Sequence, residues 1–149
     1  MIDIKRFREY LVALTNRVNS TSEDKIDNII LAVKEEHIVK KLQDKSGISL
    51  CVSYPDAEGD ASRDPSREDN QVFFFLCERV SSGEQTDEDE ILFYAKIQSI
   101  MQRLLHEIYN QDTNCSFVTP DENYRLEWEY QIFGGYNGMS LGIKIKSYG

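Results

Sequence analysis

Two histidines, three cysteines, three prolines and one tryptophan are spread over 149 residues, and each scarcity closes off a class of explanation. Cys51, Cys77 and Cys115 are odd in number and widely spaced, so they form neither a disulfide framework nor a Cys-x-x-Cys metal site. Cys51 and Cys77 fall in strand-like stretches, where a small buried thiol is expected. His37 and His106 sit in charged helical surroundings without an HExxH or paired spacing, and neither reads as a metal ligand or a catalytic base. No apolar run approaches the roughly 18 to 20 residues of a membrane-spanning helix. The opening MIDIKRFREY lacks the basic-then-apolar order of a signal peptide, so a cytoplasmic chain without a membrane partner is expected. The motifs GxSxG, GxxxxGK and GxGxxG are absent as well, and no cofactor is expected.

Negative charge, by contrast, is abundant. The formal net charge of −9 opposes general nucleic-acid binding, which rests on neutralising phosphates with Lys and Arg. Lys34, Lys40, Lys41 and Lys45 cluster, but they alternate with Glu35, Glu36 and Asp44, the pattern of a solvated helix face. Asp56, Glu58 and Asp60 are spaced like the first ligands of a calcium loop. Ala61 holds the position that needs Gly, and no bidentate Glu follows at the twelfth place. A solvated acidic loop is the better reading. The chain length fits one domain, residues 1–149, with a core of its own.

Ile4, Phe7, Leu11, Leu14 and Val18 recur at steps of three and four and predict a first helix over 3–18. The small polar residues 19–22 break it. A second helix is expected over 22–44, with Ile26, Ile29, Ile30 and Val33 as its buried stripe and Gly47 closing it. GISLCVSY then alternates as a strand that Pro55 ends. Residues 55–70 are rich in Asp, Ser and Arg and predict a mobile acidic loop. QVFFFLCERV is apolar on both faces from Val72 to Cys77, as for an interior strand. Thr86 and the acids Asp87 to Glu90 suit the start of a long helix with the stripe Tyr94, Ile97, Met101, Leu104 and Ile108.

The last segment, RLEWEYQIFGGYNGMSLGIKIKS, alternates on both arms around glycines and predicts an antiparallel hairpin. With Gly134 facing Met139, Trp128 faces Ile145, Glu129 meets Lys144 and Glu127 meets Lys146. These lysine partners account for the two glutamates better than acid–base chemistry does. Trp128 is expected in the core, with about 3 to 5 kcal/mol lost on truncation to Ala. The fold class that results is α+β: a mainly antiparallel four-stranded sheet with helices packed on one side, in the order α-α-β-β-α-β-β.

GISLCVSY, QVFFFLCERV, the helix 86–110, RLEWEYQIF and MSLGIKIKS together give a helix, strand pair, long helix and strand pair. That order, spanning nearly the whole chain, resembles the tail-terminator and related neck or tail-completion proteins of long-tailed bacteriophages. The resemblance implies a non-catalytic structural subunit that forms a ring or other homo-oligomer with itself and meets other assembly proteins, in the cytoplasm or in the virion. It makes Asp56, Glu58, Asp60 and Asp64 in the acidic loop, and Gly135, Tyr136 and Asn137 in the glycine turn, candidate partner contacts. The alternative is an intracellular protein-binding adaptor or immunity-type module. An enzyme would need a pocket of convergent polar groups, for which no precursor stands in the sequence.

Overall fold

A computed structural model of the chain describes residues 1–62, 67–81, 83, 85–110 and 119–148. The first helix forms where its stripe predicts: α1 covers Ile4–Thr21, and the Asp3 carboxylate caps it by accepting the N–H groups of Lys5 and Arg6 at 2.9 and 3.1 Å. The expected second helix is instead a strand and a short helix, β1 at Asn28–Ala32 and α2 at Glu35–Leu42. The helix is interrupted because Asn19 clamps the extended backbone of Ile26, donating to its carbonyl at 3.0 Å and accepting its N–H at 2.8 Å. Asp27 N–H then bonds Ile48 O at 2.8 Å, which hands the chain to the sheet. Val33, expected in the buried stripe, is exposed.

β2 at Ser49–Ser53 follows, then β3 at Asp56–Gly59 and the long β4 at Arg67–Arg79. β3 pairs antiparallel with β4, from Asp56 opposite Gln71 to Gly59 opposite Glu68, so both ends of the expected loop 55–70 are strand. α3 occupies Asp87–Tyr109 behind a Thr86 cap, as expected. β5 at Thr119–Ile132 and β6 at Tyr136–Tyr148 complete the chain.

The class is α+β, and the described residues form six strands in a mixed sheet rather than four in an antiparallel one. The order is β1-β2-β4-β6-β5, with β3 paired to β4. β1 runs parallel to β2, which a crossover through α2 requires. Helices cover both faces instead of one. α1 and α3 lie on one face, over a core that includes Phe7, Leu14, Leu50, Phe74, Ile97 and Leu141. α2 lies on the other, where Ile38 and Leu42 meet Ile30, Cys51, Cys77 and Tyr136. Alternation along β2 and β4 sends neighbouring residues to these two cores. Both Cys51 and Cys77 are buried, as expected of small apolar thiols; Cys115 lies outside the described residues.

The hairpin forms with another register. Trp128 stands opposite Met139, Leu126 opposite Leu141, and Glu127 opposite Ser140. Lys144 and Lys146 face Gln71 and Asp69 of β4 instead of the glutamates. The shift is even from Tyr124 to Glu129, so those side chains keep their predicted face; beyond the irregularity that follows, Ile132, expected beside Tyr130, packs instead into the α2-side core. The cause of the shift lies in the glycine segment. Tyr136 to Gly138 are strand, not turn, because Gly138 must pass the β4 backbone so closely that an added Cβ would come within 1.9 Å of Leu76 O.

Candidate functional site

α1 and α3 do not roof the whole of the sheet face they share. α3 lies over β4 and β6, and β5 overhangs it. The apolar row of β5 therefore faces the helix side but remains open: Tyr124 is 48 % exposed, Leu126 37 %, Trp128 57 % and Tyr130 64 %. This corrects the expectation that Trp128 is core. Nothing among the described residues pairs with the outer edge of β5. Pro120, which lacks an amide proton, is tolerated on such an edge. Irregularities after Pro120 and after Glu129 leave Tyr124 to Glu129 as the regular stretch.

The row is held in place rather than loose. Tyr94 of α3 meets the Trp128 ring edge-on and donates its hydroxyl to Glu129 O at 2.7 Å. Tyr109, about four turns further along α3, lies against Tyr124, and its hydroxyl donates to Asp121 O. Burial pushes both phenols above their usual pKa, with nearby charged or phenolic groups adding to the effect, so both remain donors at neutral pH. Ile91, Tyr94, Ala95 and Trp128 line a groove of about 350 Å³ between helix and strand, with Glu90 and Gln98 at its rim. Ile91 and Leu92 extend the exposed apolar surface at the start of α3. On the opposite face of β5, Arg125 Nε lies 2.6 Å from Glu127 Oε1, and Glu129 accepts the Ser140 hydroxyl at 2.8 Å.

Two other grooves are mixed in character, and some of their charged groups are paired. One, of about 560 Å³, lies beside Glu78, Arg79 and Lys96. Lys96 pairs with Glu78 at 2.8 Å, and the Arg79 guanidinium lies over the Tyr136 ring. The other includes Arg103, His106 and Glu107, of which Glu107 pairs with Arg17 at 3.1 Å. His37 has a structural task, accepting the Val33 N–H at Nδ1. Among the described residues no three His, Cys, Asp or Glu side chains converge as a metal site, and no helix is long and apolar enough to cross a membrane.

The residues expected to contact partners are scattered. Asp56 and Glu58 are exposed on β3, and Asp60 is exposed just beyond it. Hydrogen bonds from the Ser62 hydroxyl and N–H hold the Asp60 carboxyl below its ordinary pKa. Asp64 lies outside the described residues. Gly135 is half-buried in the turn, whereas Tyr136 and Asn137 are each only 2 % exposed. Tyr136 donates to Leu42 O and accepts from Arg79, and Asn137 Oδ1 accepts the Gln131 N–H at 2.7 Å. Those two are internal braces of the hairpin and offer no surface to a partner. The overhanging row was missed because alternation fixes which face a side chain takes, but not whether a helix reaches that far. One signal was available: Leu92 shares its helix line with Lys96, Ser99 and Arg103, so it has no place in the buried stripe.

No protein-family model matches this chain, and no curated protein or solved structure does either.

Proposed function

We propose that the chain is a non-catalytic assembly protein that binds another polypeptide strand along the free edge of β5. The observation that carries this reading is the exposed row Tyr124, Leu126, Trp128 and Tyr130 on an edge that no described residue pairs. Open sheet edges are ordinarily protected, and large exposed aromatic surface is concentrated at protein-binding sites. An added strand supplies main-chain hydrogen bonds, and its alternate side chains meet the aromatic row. The groove beside Trp128 then seats an apolar side chain of the partner. A ring subunit of the phage tail-terminator kind is one form of this reading, and an adaptor or immunity-type module is the other. Both place the work in binding, with Tyr94 and Tyr109 keeping the edge rigid.

Size exclusion of extract from the native host, following this chain by antibody, tests the reading. The wild type is expected to elute well above its 17.3 kDa mass, and Leu126→Lys, with an unchanged melting midpoint, to elute lower. Identical elution of the two would refute the edge as the working surface.

A further inference from the structure

We infer that the strand completing β5 is β5 of a second copy, paired antiparallel about a twofold axis at Leu126; this rests on the strand-edge reading above. The residue pattern of the edge is self-complementary in that one register. With Leu126 opposite Leu126, Arg125 of each copy stands opposite Glu127 of the other, and Tyr124 stands opposite Trp128. Every pair is favourable for directly opposed strand neighbours, two of opposite charge and two aromatic. The adjacent same-face registers fail. Centring on Glu127 sets two glutamates together on the axis and leans for its Arg125 pairs on Glu129, at the irregular end of the strand and already bonded to Ser140; centring on Arg125 opposes two arginines, and centring on Trp128 sets Glu127 against Glu129. All the paired positions lie in the regular stretch between the two irregularities.

Arg125 and Glu127 already pair within one chain at 2.6 Å, so dimerisation exchanges an intrachain partner for an interchain one and leaves no charge unmatched. Space permits the arrangement. Three strand spacings of roughly 4.8 Å separate β6 of one copy from β6 of the other, about 14 Å. Helices lying over those strands therefore remain beyond the roughly 8 to 10 Å of direct helix packing. Tyr124, Leu126 and Trp128 of both copies fill the channel between them. A twofold contact of this kind is closed, so it gives a dimer and not a fibre. The net charge of −9 on each copy opposes association at a distance, and physiological salt screens that repulsion beyond roughly 8 Å.

Sedimentation equilibrium of the purified chain in 150 mM salt, with four sequences, tests the inference. The wild type should approach twice 17.3 kDa as concentration rises. Arg125→Glu and Glu127→Arg should each weaken the dimer by about tenfold or more, because each sets like charges opposite one another twice. The double variant Arg125→Glu/Glu127→Arg should restore it. A monomer at every concentration would overturn the inference, while the host-extract result would still stand on its own. A dimer indifferent to the single changes, or one that the double change fails to restore, would equally overturn this register. Circular dichroism of each variant shows that the comparison is between folded chains.

Discussion

The Tyr94 and Trp128 rings meet edge to face, with centroids 5.6 Å apart and planes 85° apart, and the Tyr94 hydroxyl bonds the carbonyl of the next residue, Glu129. One side chain of α3 thus braces both the ring and the backbone of the overhanging strand. Trp128 gains a fixed orientation from this contact without being buried by it.

Truncating Trp128 to Ala is therefore expected to cost about 1 kcal/mol in folding stability, the scale of one edge-to-face pair. Phe74→Ala, deep between α1, α3 and the sheet, should cost roughly 3 to 5 kcal/mol. Urea unfolding at low protein concentration, where association does not contribute, compares the two directly.

Removing only the Tyr94 hydroxyl, with Phe, should cost about 1 kcal/mol and leave the ring contact in place. Faster amide exchange from Glu129 to Ile132, with unchanged exchange in β4, is the expected local effect. Equal acceleration through both strands would show that Tyr94 braces the whole sheet rather than its edge.

High pH should lower the stability of the chain. Burial, the largest cause in each case, raises the phenol pKa of Tyr10, Tyr94 and Tyr109 above the ordinary value, so above about pH 10 the unfolded chain releases protons that the folded chain retains. The stability these phenols contribute is complete below about pH 10 and is lost as pH climbs through their higher folded-state values. Tyr10 is the most shifted of the three, and Tyr10→Phe should flatten the alkaline limb of a plot of stability against pH. An unchanged limb would assign the effect to other groups.

Gly138→Ala should be much worse than Gly142→Ala. A Cβ at 138 meets the fixed backbone of Leu76 at 1.9 Å, whereas one at 142 meets the Phe73 ring at 3.2 Å. That ring is partly exposed and can turn aside. Overpacking of the first kind costs roughly 1 to 3 kcal/mol or more, and the difference in melting midpoint between the two variants measures it.

Much of the fold was legible from periodicity. α1 and α3 were written in their stripes, the start of α3 also in Thr86 and the acids behind it, β4 in its continuous apolar run, and both hairpin arms in their alternation. β1 and α2 were not, because Ile26, Ile29, Ile30 and Val33 fit a helical stripe, and what excludes the helix is a distant clamp from Asn19. The hairpin register escaped for a similar reason. Opposed faces are satisfied by every even shift, and the true one is selected by Gly138 against β4 and by Tyr136 against Leu42 and Arg79. The candidate site was legible as an apolar row but not as an exposed one, since its exposure depends on where α3 ends up.

Amide hydrogen exchange at Tyr124 to Glu129, followed over a wide range of concentrations of the purified chain, is the most direct measurement. If a second copy completes β5, outward-facing amides in this stretch should exchange quickly when the protein is dilute and slow markedly as it is concentrated, while those of β4 remain slow throughout. Rapid exchange at every concentration, with β4 protected, would show that the edge stays open in the isolated chain and would contradict self-pairing about Leu126.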